Sequence, residues 1–443
     1  MQNPLLAALL TATALSAATS AGVAQQAPAP APVSAPVPAP APEPEPEPTM
    51  PAAPSASTAP AASPATAPAE APPAPPADAS ATAPVAAPTD APMTSTPPAA
   101  SPASEPATTP ATGADAVALE KGEPGAEMKS VLDKLTELGA DPIGTLTPEE
   151  QRNEPTPADA VMAVMKDKGI DMPAPLAAIE TREVSYTDAG GGQQPIRIYT
   201  PPGEGPFPLV VYFHGGGWVI ADLDTYDASA RALADGAKAV VASVEYRHAP
   251  EAKFPAAHDD ANAAYRWLVE NSGTLNADAE RLAVAGESAG ANLAMNVAIG
   301  ARDNGLTQPD HMLLVYPVAG NDMTTPSYQT YADAAPLSKP AMEWFVSHVF
   351  ADKAETADPR LNLVDRSDLA GLPPATVINA RIDPLLSEGE DLARALQDQG
   401  VETTQKTYDG VAHEFFGMGA VVPQAKEAMT QETTALTGAL AAD

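Results

Sequence analysis

The sequence predicts an α/β fold in which a mostly parallel sheet of eight strands is covered by helices on both faces. Two observations carry this. After residue 180, short continuous apolar runs alternate with longer stretches of helical periodicity, as strands buried on both faces require. One of these runs is joined to a helical stretch by Gly286-Glu287-Ser288-Ala289-Gly290, a glycine-flanked turn suited to a strand end.

The 443-residue chain opens with an apolar run over residues 5–18, followed by small residues ending at Gly22-Val23-Ala24. Residues 1–24 read as a secretory signal cleaved near Ala24, although no Lys or Arg precedes the run. The run is too short to span a bilayer. An exported protein, periplasmic or secreted, is expected; the alternative is a cytoplasmic chain with a misassigned start. Residues 25–112 are expected to form a Pro/Ala-rich linker. Of the 52 prolines, 27 lie between Pro28 and Pro110, with no Leu, Ile or aromatic side chain among them. Such a segment cannot offset the entropy of ordering its backbone, so it is expected to be disordered and PPII-like. The remaining 331 residues are enough for one large core.

Residues 113–180 read as helical. Met128, Val131, Leu132, Leu135 and Leu138 recur at helical spacing, with Gly139 as C-cap. Thr147-Pro148-Glu149-Glu150 opens a second helix, with Thr as N-cap and Pro at N1. A third covers 157–168 and stops at Gly169. These helices precede any strand and are expected to sit on the main fold, outside its sheet. Residues 181–443 supply the sheet. Strands at 182–188 and 195–200 form a hairpin around Gly190-Gly191-Gly192. Further strands fall at 208–213, 239–244, 282–285, 312–316, 375–379 and 402–408. Helices fall at 225–235, 256–270, 289–304, 388–399 and from 424 onward.

The formal net charge is −34. Residues 1–112 hold seven acids and no Lys or Arg, so the other 331 residues carry −27 of it. That density of acid argues against nucleic acid or an anionic membrane as partner. A solvated acidic surface accounts for it, with salt adaptation as a second explanation. The absence of cysteine excludes disulfides, iron–sulfur clusters, thiolate zinc sites, a Cys nucleophile and a lipoprotein anchor.

The strongest chemical signal is Ser288 in its strand-to-helix turn. A serine there projects its Oγ from the sheet edge. Side chains at the positions of Gly286 and Gly290 would come too close, and the Ala289 N–H points from a helix N-terminus at developing negative charge. The second signal is His214-Gly215-Gly216-Gly217-Trp218, directly after a buried strand. Consecutive glycines let backbone N–H groups face a ligand, and the spacing before Ser288 suits an α/β-hydrolase fold. A base and an acid must follow the serine in chain order. Of the six histidines, only His311, His348 and His413 do so. His311 starts an apolar strand and His348 lies beside Trp344 and Phe345, so both read as structural. His413 follows the last strand. Asp383, just past the 375–379 strand, is the candidate acid; Asp409 and Glu414 compete with it.

These residues carry a family resemblance. The chain resembles the hormone-sensitive-lipase-like α/β-hydrolases, the bacterial family IV carboxylesterases, from about Met128 to Ala428. Tyr246-Arg247-His248-Ala249-Pro250-Glu251 with Phe254-Pro255-Ala256-Ala257, Asp358-Pro359-Arg360 and Gly371-Leu372-Pro373-Pro374 extend the match. The resemblance implies Ser288, Asp383 and His413 as the catalytic triad, with the backbones of Gly216, Gly217 and Ala289 as oxyanion donors. It also implies a helical cap made by the N-terminal helices and an insertion at about 321–353. The chain departs from the family pattern at Glu287, commonly Asp, and at Ala291 and Ala221, usually Gly. It departs again at Tyr226, often His, and at Glu414, often Gly. These departures bear on pocket shape and hence on substrate.

A serine carboxylesterase acting on short- to medium-chain acyl esters through an acyl-enzyme is therefore expected. Trp218, Tyr226 and Glu287 are expected at the pocket. The alternatives are hydrolysis of amide, lactone or N-acyl bonds by the same triad, or a non-catalytic ligand-binding relative. No metal or organic cofactor is implied. The expected partner is a small-molecule ester, without nucleic acid or stable membrane insertion, and the chain is expected to be a monomer or homodimer.

Overall fold

The structure, a computed structural model, describes residues 119–441. The signal and linker expected over residues 1–112 lie outside the described residues. Eight strands form one sheet: β1 (Glu180–Thr187), β2 (Gln193–Thr200), β3 (Phe207–Phe213), β4 (Val240–Val244), β5 (Ala277–Glu287), β6 (His311–Val315), β7 (Ala375–Ile382) and β8 (Thr403–Ala412). Their spatial order is β1-β2-β4-β3-β5-β6-β7-β8. The β1–β2 and β2–β4 pairs are antiparallel, and every pair from β4 to β8 is parallel.

Alternation along the strands divides the core. Leu209, Val211 and Phe213 of β3 face one layer with Val240 and Val244 of β4, Leu282 and Val284 of β5 and Met312 and Leu314 of β6. Helices Ala256–Asn271 and Ala289–Asp303 cover that side. Val210, Tyr212, Val241, Ala283, Ala285 and Leu313 face the opposite layer, under helices Asp227–Ala237 and Pro423–Ala439. Both faces of β3 to β6 are thus dry, and their sequences read as continuous apolar runs for that reason.

Strands β5, β7 and β8 extend beyond the runs that predict them: β7 continues to Ile382, and β5 and β8 each carry a bulge. In β5, Pro208 pairs with Asp278 but Leu209 pairs with Leu282, so the residues between bulge out. The bulge is polar: Asp278 accepts from the Glu280 N–H at 3.0 Å and from Arg281 at 2.9 Å, which hides the strand start from hydropathy. In β8, Ala380 pairs with Tyr408 and Ile382 with Ala412. Gly410 within that bulge has φ +73°. The bulge carries β8 on to Ala412, next to His413.

The N-terminal helices form, with Thr147 and Gly169 capping as expected; the first has Leu138 as its C-cap, with the expected cap Gly139 one residue beyond at φ +87°. Thr147 and Thr156 each make a reciprocal capping box, with Glu150 and Asp159 respectively. Gly169 ends its helix in the left-handed conformation. Helices Ala126–Glu137 and Pro157–Lys168 pack through Met128, Val131, Val161 and Val164 into the Tyr212 side of the core. Within the 321–353 insertion, helices Pro326–Thr330 and Lys339–Val349 form.

Candidate active site

The three parallel strands β5, β7 and β8 end on one edge of the sheet, and the residue after each end is Ser288, Asp383 and His413. Ser288 holds φ 57° and ψ −118°, a strained conformation for a residue with a Cβ. Hydrogen bonds fix it from both sides. Its N–H donates to Val315 O (2.9 Å), and its carbonyl accepts from the N–H groups of Ala291 (3.1 Å) and Val318 (3.2 Å). A Cβ on Gly286 would run into the Gly290 carbonyl, and one on Gly290 into the carbonyls of Phe213 and His214. Both glycines are required by close approach.

Asp383 Oδ2 accepts from the Nδ1–H of His413 at 2.6 Å, and the Ser288 hydroxyl donates to His413 Nε2 at 3.0 Å. The carboxylate can only accept, which assigns the proton to Nδ1. The other Asp383 oxygen accepts from the Leu385 N–H at 2.8 Å. All three side chains are buried, Ser288 to within 5% of full burial. Burial alone would push the His413 imidazole down, but the Asp383 carboxylate and its hydrogen bond outweigh it and hold the pKa above the ordinary value.

The glycine loop faces Ser288. Gly216 and Gly217 have φ +91° and +59°. The carbonyl of Gly216 accepts from the N–H groups of Val219 and Ile220, both at 3.0 Å, closing the loop into a tight turn. A Cβ on Gly217 would strike the Phe345 ring. The N–H groups of Gly216, Gly217 and Ala289 donate to no acceptor among the described residues. His214 anchors the loop from behind: its ring stacks on Tyr246 (4.5 Å), whose hydroxyl donates to the carbonyls of His214 (2.9 Å) and Gly215 (3.1 Å).

A chamber of about 720 Å³ opens above Ser288 and His413. Trp218 stands in its wall, with Leu337, Met342, Phe345 and Val349 supplied by the insertion. Among the described N-terminal residues, Ile143 alone lines it; Leu132 and Leu135 line a neighbouring cleft instead.

Tyr226 and Glu287 do not stand in the chamber wall. Glu287 is the last residue of β5, on the same face as Ala283 and Ala285. It is buried beneath the turn, where Tyr212 donates to Oε1 at 2.5 Å and Tyr316 to Oε2. Tyr226 lies against Gly215 and donates to Glu414 at 2.7 Å, so it supports the loop from outside. Its position is set by the cleft side of the loop, which hydropathy cannot show. The competing groups are elsewhere occupied. Asp409 pairs with Arg381 at 2.8 Å, His311 bonds Thr376 at 3.0 Å, and His348 faces the Trp344 carbonyl. Glu414 stands 3.8 Å from His413 Nε2. The motifs alone do not reveal Tyr212 and Tyr316. Period-two alternation shows Tyr212, which falls with Glu287 on one face of adjacent strands, but not Tyr316, which alternation would place with Leu314 on the other face and which turns back at φ 35° just past β6.

The comparisons agree with this architecture. Residues 210–417 match the profile of the alpha/beta hydrolase fold family. The carboxylesterase NlhH of Mycobacterium tuberculosis is 40% identical over 271 residues, which cover 60% of this chain and 84% of that protein. The chain belongs to the hormone-sensitive-lipase-like α/β-hydrolase family. The ethyl acetate hydrolase of Pseudomonas putida is 36% identical over 258 residues, 57% of this chain and 81% of that protein. A thermostable esterase structure from Pseudomonas putida superposes on this α/β-hydrolase with a TM-score of 0.65 at 32% identity, covering 73% of this chain and 99% of that one.

The buried acids make the site pH-sensitive. Burial, and then the neighbouring Glu414 charge, push the Glu287 carboxyl from 4.5 up to about 7, against the two tyrosine donors. A raised carboxyl favours the fold in its neutral form. The stabilisation is complete below pH 4.5 and is lost as pH rises through 7. Glu287→Gln removes that dependence. Wild type should therefore lose about 2–3 kcal/mol more stability than the variant between pH 4.5 and pH 8. Denaturant unfolding at both pH values reads this directly, and equal losses would refute it.

Proposed function

We propose that this protein is a serine carboxylesterase that hydrolyses short- to medium-chain acyl esters of small molecules. The observation that carries the reading is the hydrogen-bonded chain Asp383–His413–Ser288 facing three uncommitted backbone N–H groups inside a lined chamber. In this mechanism His413 Nε2 takes the Ser288 proton as Oγ attacks the ester carbonyl. Asp383 holds the imidazole in the required tautomer and stabilises the imidazolium that forms. The N–H groups of Gly216, Gly217 and Ala289 receive the tetrahedral oxyanion, each typically contributing about 3–4 kcal/mol of barrier reduction. His413 then protonates the leaving alcohol, and water attacks the acyl-enzyme by the same route in reverse.

The insertion supports the chain-length part of the reading. Phe345 both lines the chamber and packs on Gly217, so acyl room and the position of an oxyanion donor are tied together. The apolar run over residues 5–18 supports export, and we take the working form to be a monomer or homodimer. No helix among the described residues is long and apolar enough to cross a membrane.

Two experiments test the proposal. Ser288→Ala and Asp383→Asn should each lower kcat on p-nitrophenyl butyrate by about 10⁴-fold or more while leaving the melting temperature within a few degrees. A tenfold effect or less on a folded variant would remove the triad assignment. Phe345→Ala should lower kcat on the acetate ester and shift the optimum of kcat/KM towards longer chains across an acetate-to-palmitate series. An unchanged profile would show that the insertion does not set acyl length.

A further inference from the structure

We propose that His214, Glu245 and His248 form a binding site for one divalent transition metal of the zinc class, behind the glycine loop and apart from the ester chamber. The fold builds this cluster. β3 and β4 are adjacent and parallel, with Phe213 paired to Val244. The next residue of each strand, His214 and Glu245, therefore meet at the sheet edge, and His248 follows three residues later. His214 Nε2 lies 3.2 Å from Glu245 Oε1, and His248 Nε2 lies 3.1 Å from the same oxygen. One ligand atom from each of the three residues falls within 4.8 Å of the others. A tetrahedral zinc with bonds of about 2.0–2.2 Å holds its ligand atoms roughly 3.3–3.5 Å apart, so the two measured edges need almost no adjustment.

The hydrogen bonding fits the same occupant. His214 Nδ1 stands 2.9 Å from the Gly215 carbonyl, which can only accept. That nitrogen therefore carries the proton, and Nε2 is the nitrogen that faces the Glu245 carboxylate, hydrogen-bonded to it at 3.2 Å when no ion is present. Metal-binding histidines are commonly fixed in this way, through the far nitrogen on a backbone carbonyl. His248 Nε2 is buried and makes no hydrogen bond of proper geometry, despite its short distance to Glu245. Glu245 Oε1 also accepts from the Tyr246 N–H at 3.2 Å, which orients the carboxylate. Two imidazoles and a carboxylate suit zinc, copper or nickel and not calcium or magnesium. Glu245 and His248 both line the cleft beside the chamber, together with Asp222, Asp224, Glu251 and Glu414. An ion can enter there through an acidic wall without passing Ser288. Because His214 holds the Gly215 carbonyl, a bound ion stiffens the segment that carries the N–H groups of Gly216 and Gly217.

The test uses the full chain, freed of metal with a chelator and titrated with zinc chloride at pH 7.5 by calorimetry. One equivalent should bind, and the melting temperature should rise by several degrees at saturation. His248→Ala and Glu245→Gln should each weaken zinc binding at least tenfold, and Ser288→Ala should leave it unchanged. Millimolar calcium or magnesium should produce neither signal. Anomalous scattering from zinc-soaked crystals should place the ion on His214, Glu245 and His248, a readout that stands even if a variant does not fold. The absence of a saturable one-equivalent site would overturn the proposal. So would zinc binding that survives both substitutions, or that is lost only with His413.

Discussion

The site depends on one local constraint: a serine held at φ 57° between a strand and a helix. The conformation is unfavourable for any residue with a Cβ, on the order of 1–3 kcal/mol. It persists because its surroundings leave no alternative. Val315 and Val318 bond it from the neighbouring strand and the loop after it. Gly286 and Gly290 let the turn close so tightly that the helix begins against the carbonyls of Phe213 and His214. The hydroxyl is thereby lifted off the sheet edge, and the first helical N–H groups are left facing it.

The parallel sheet converts that turn into a constellation. Because β5, β7 and β8 run the same way and end at one edge, three residues distant in sequence become neighbours. A bulge in β8 lies just before Ala412, between the pairs Ala380–Tyr408 and Ile382–Ala412, so His413 follows directly on an irregular strand end. Beneath the turn the surroundings are unusually acidic. Glu287 is buried and Glu414 half-buried near His413, and both are raised by burial before any other cause. Their tyrosine partners, Tyr212 and Tyr316 for the buried Glu287 and Tyr226 for Glu414, supply hydrogen bonds that offset the lost hydration.

Much of this was legible in the sequence. Apolar runs mark β3, β4, β6 and β7 because those strands are buried on both faces, and capping residues mark the N-terminal helices. Glycine spacing marks the turn and the loop because glycine is demanded there by close approach and by positive φ. Chain order leads to His413 and Asp383. The strand extensions were not legible, because polar bulges interrupt hydropathy without interrupting pairing. Nor was the side of the loop on which Tyr226 lies, which depends on how Glu414 and Gly215 approach from distant segments. Glu287 was readable in principle, since alternation places it with Ala283 and Ala285. Its departure from the family pattern places it at the pocket in the sequence reading, whereas it lies beneath the turn as a support. The roof divides in the same way. The insertion covers the chamber, while the N-terminal helices, apart from Ile143, cover the cleft beside it.

The central claim is that the strained turn makes Ser288 the nucleophile, and covalent trapping addresses it most directly. The protein is treated with a p-nitrophenyl alkylphosphonate, and intact mass, peptide mapping and residual esterase activity are followed together. The account predicts one adduct per chain, located on Ser288, with activity falling in proportion to labelling. Loss of activity with the adduct on another residue, or full activity with Ser288 modified, would contradict it.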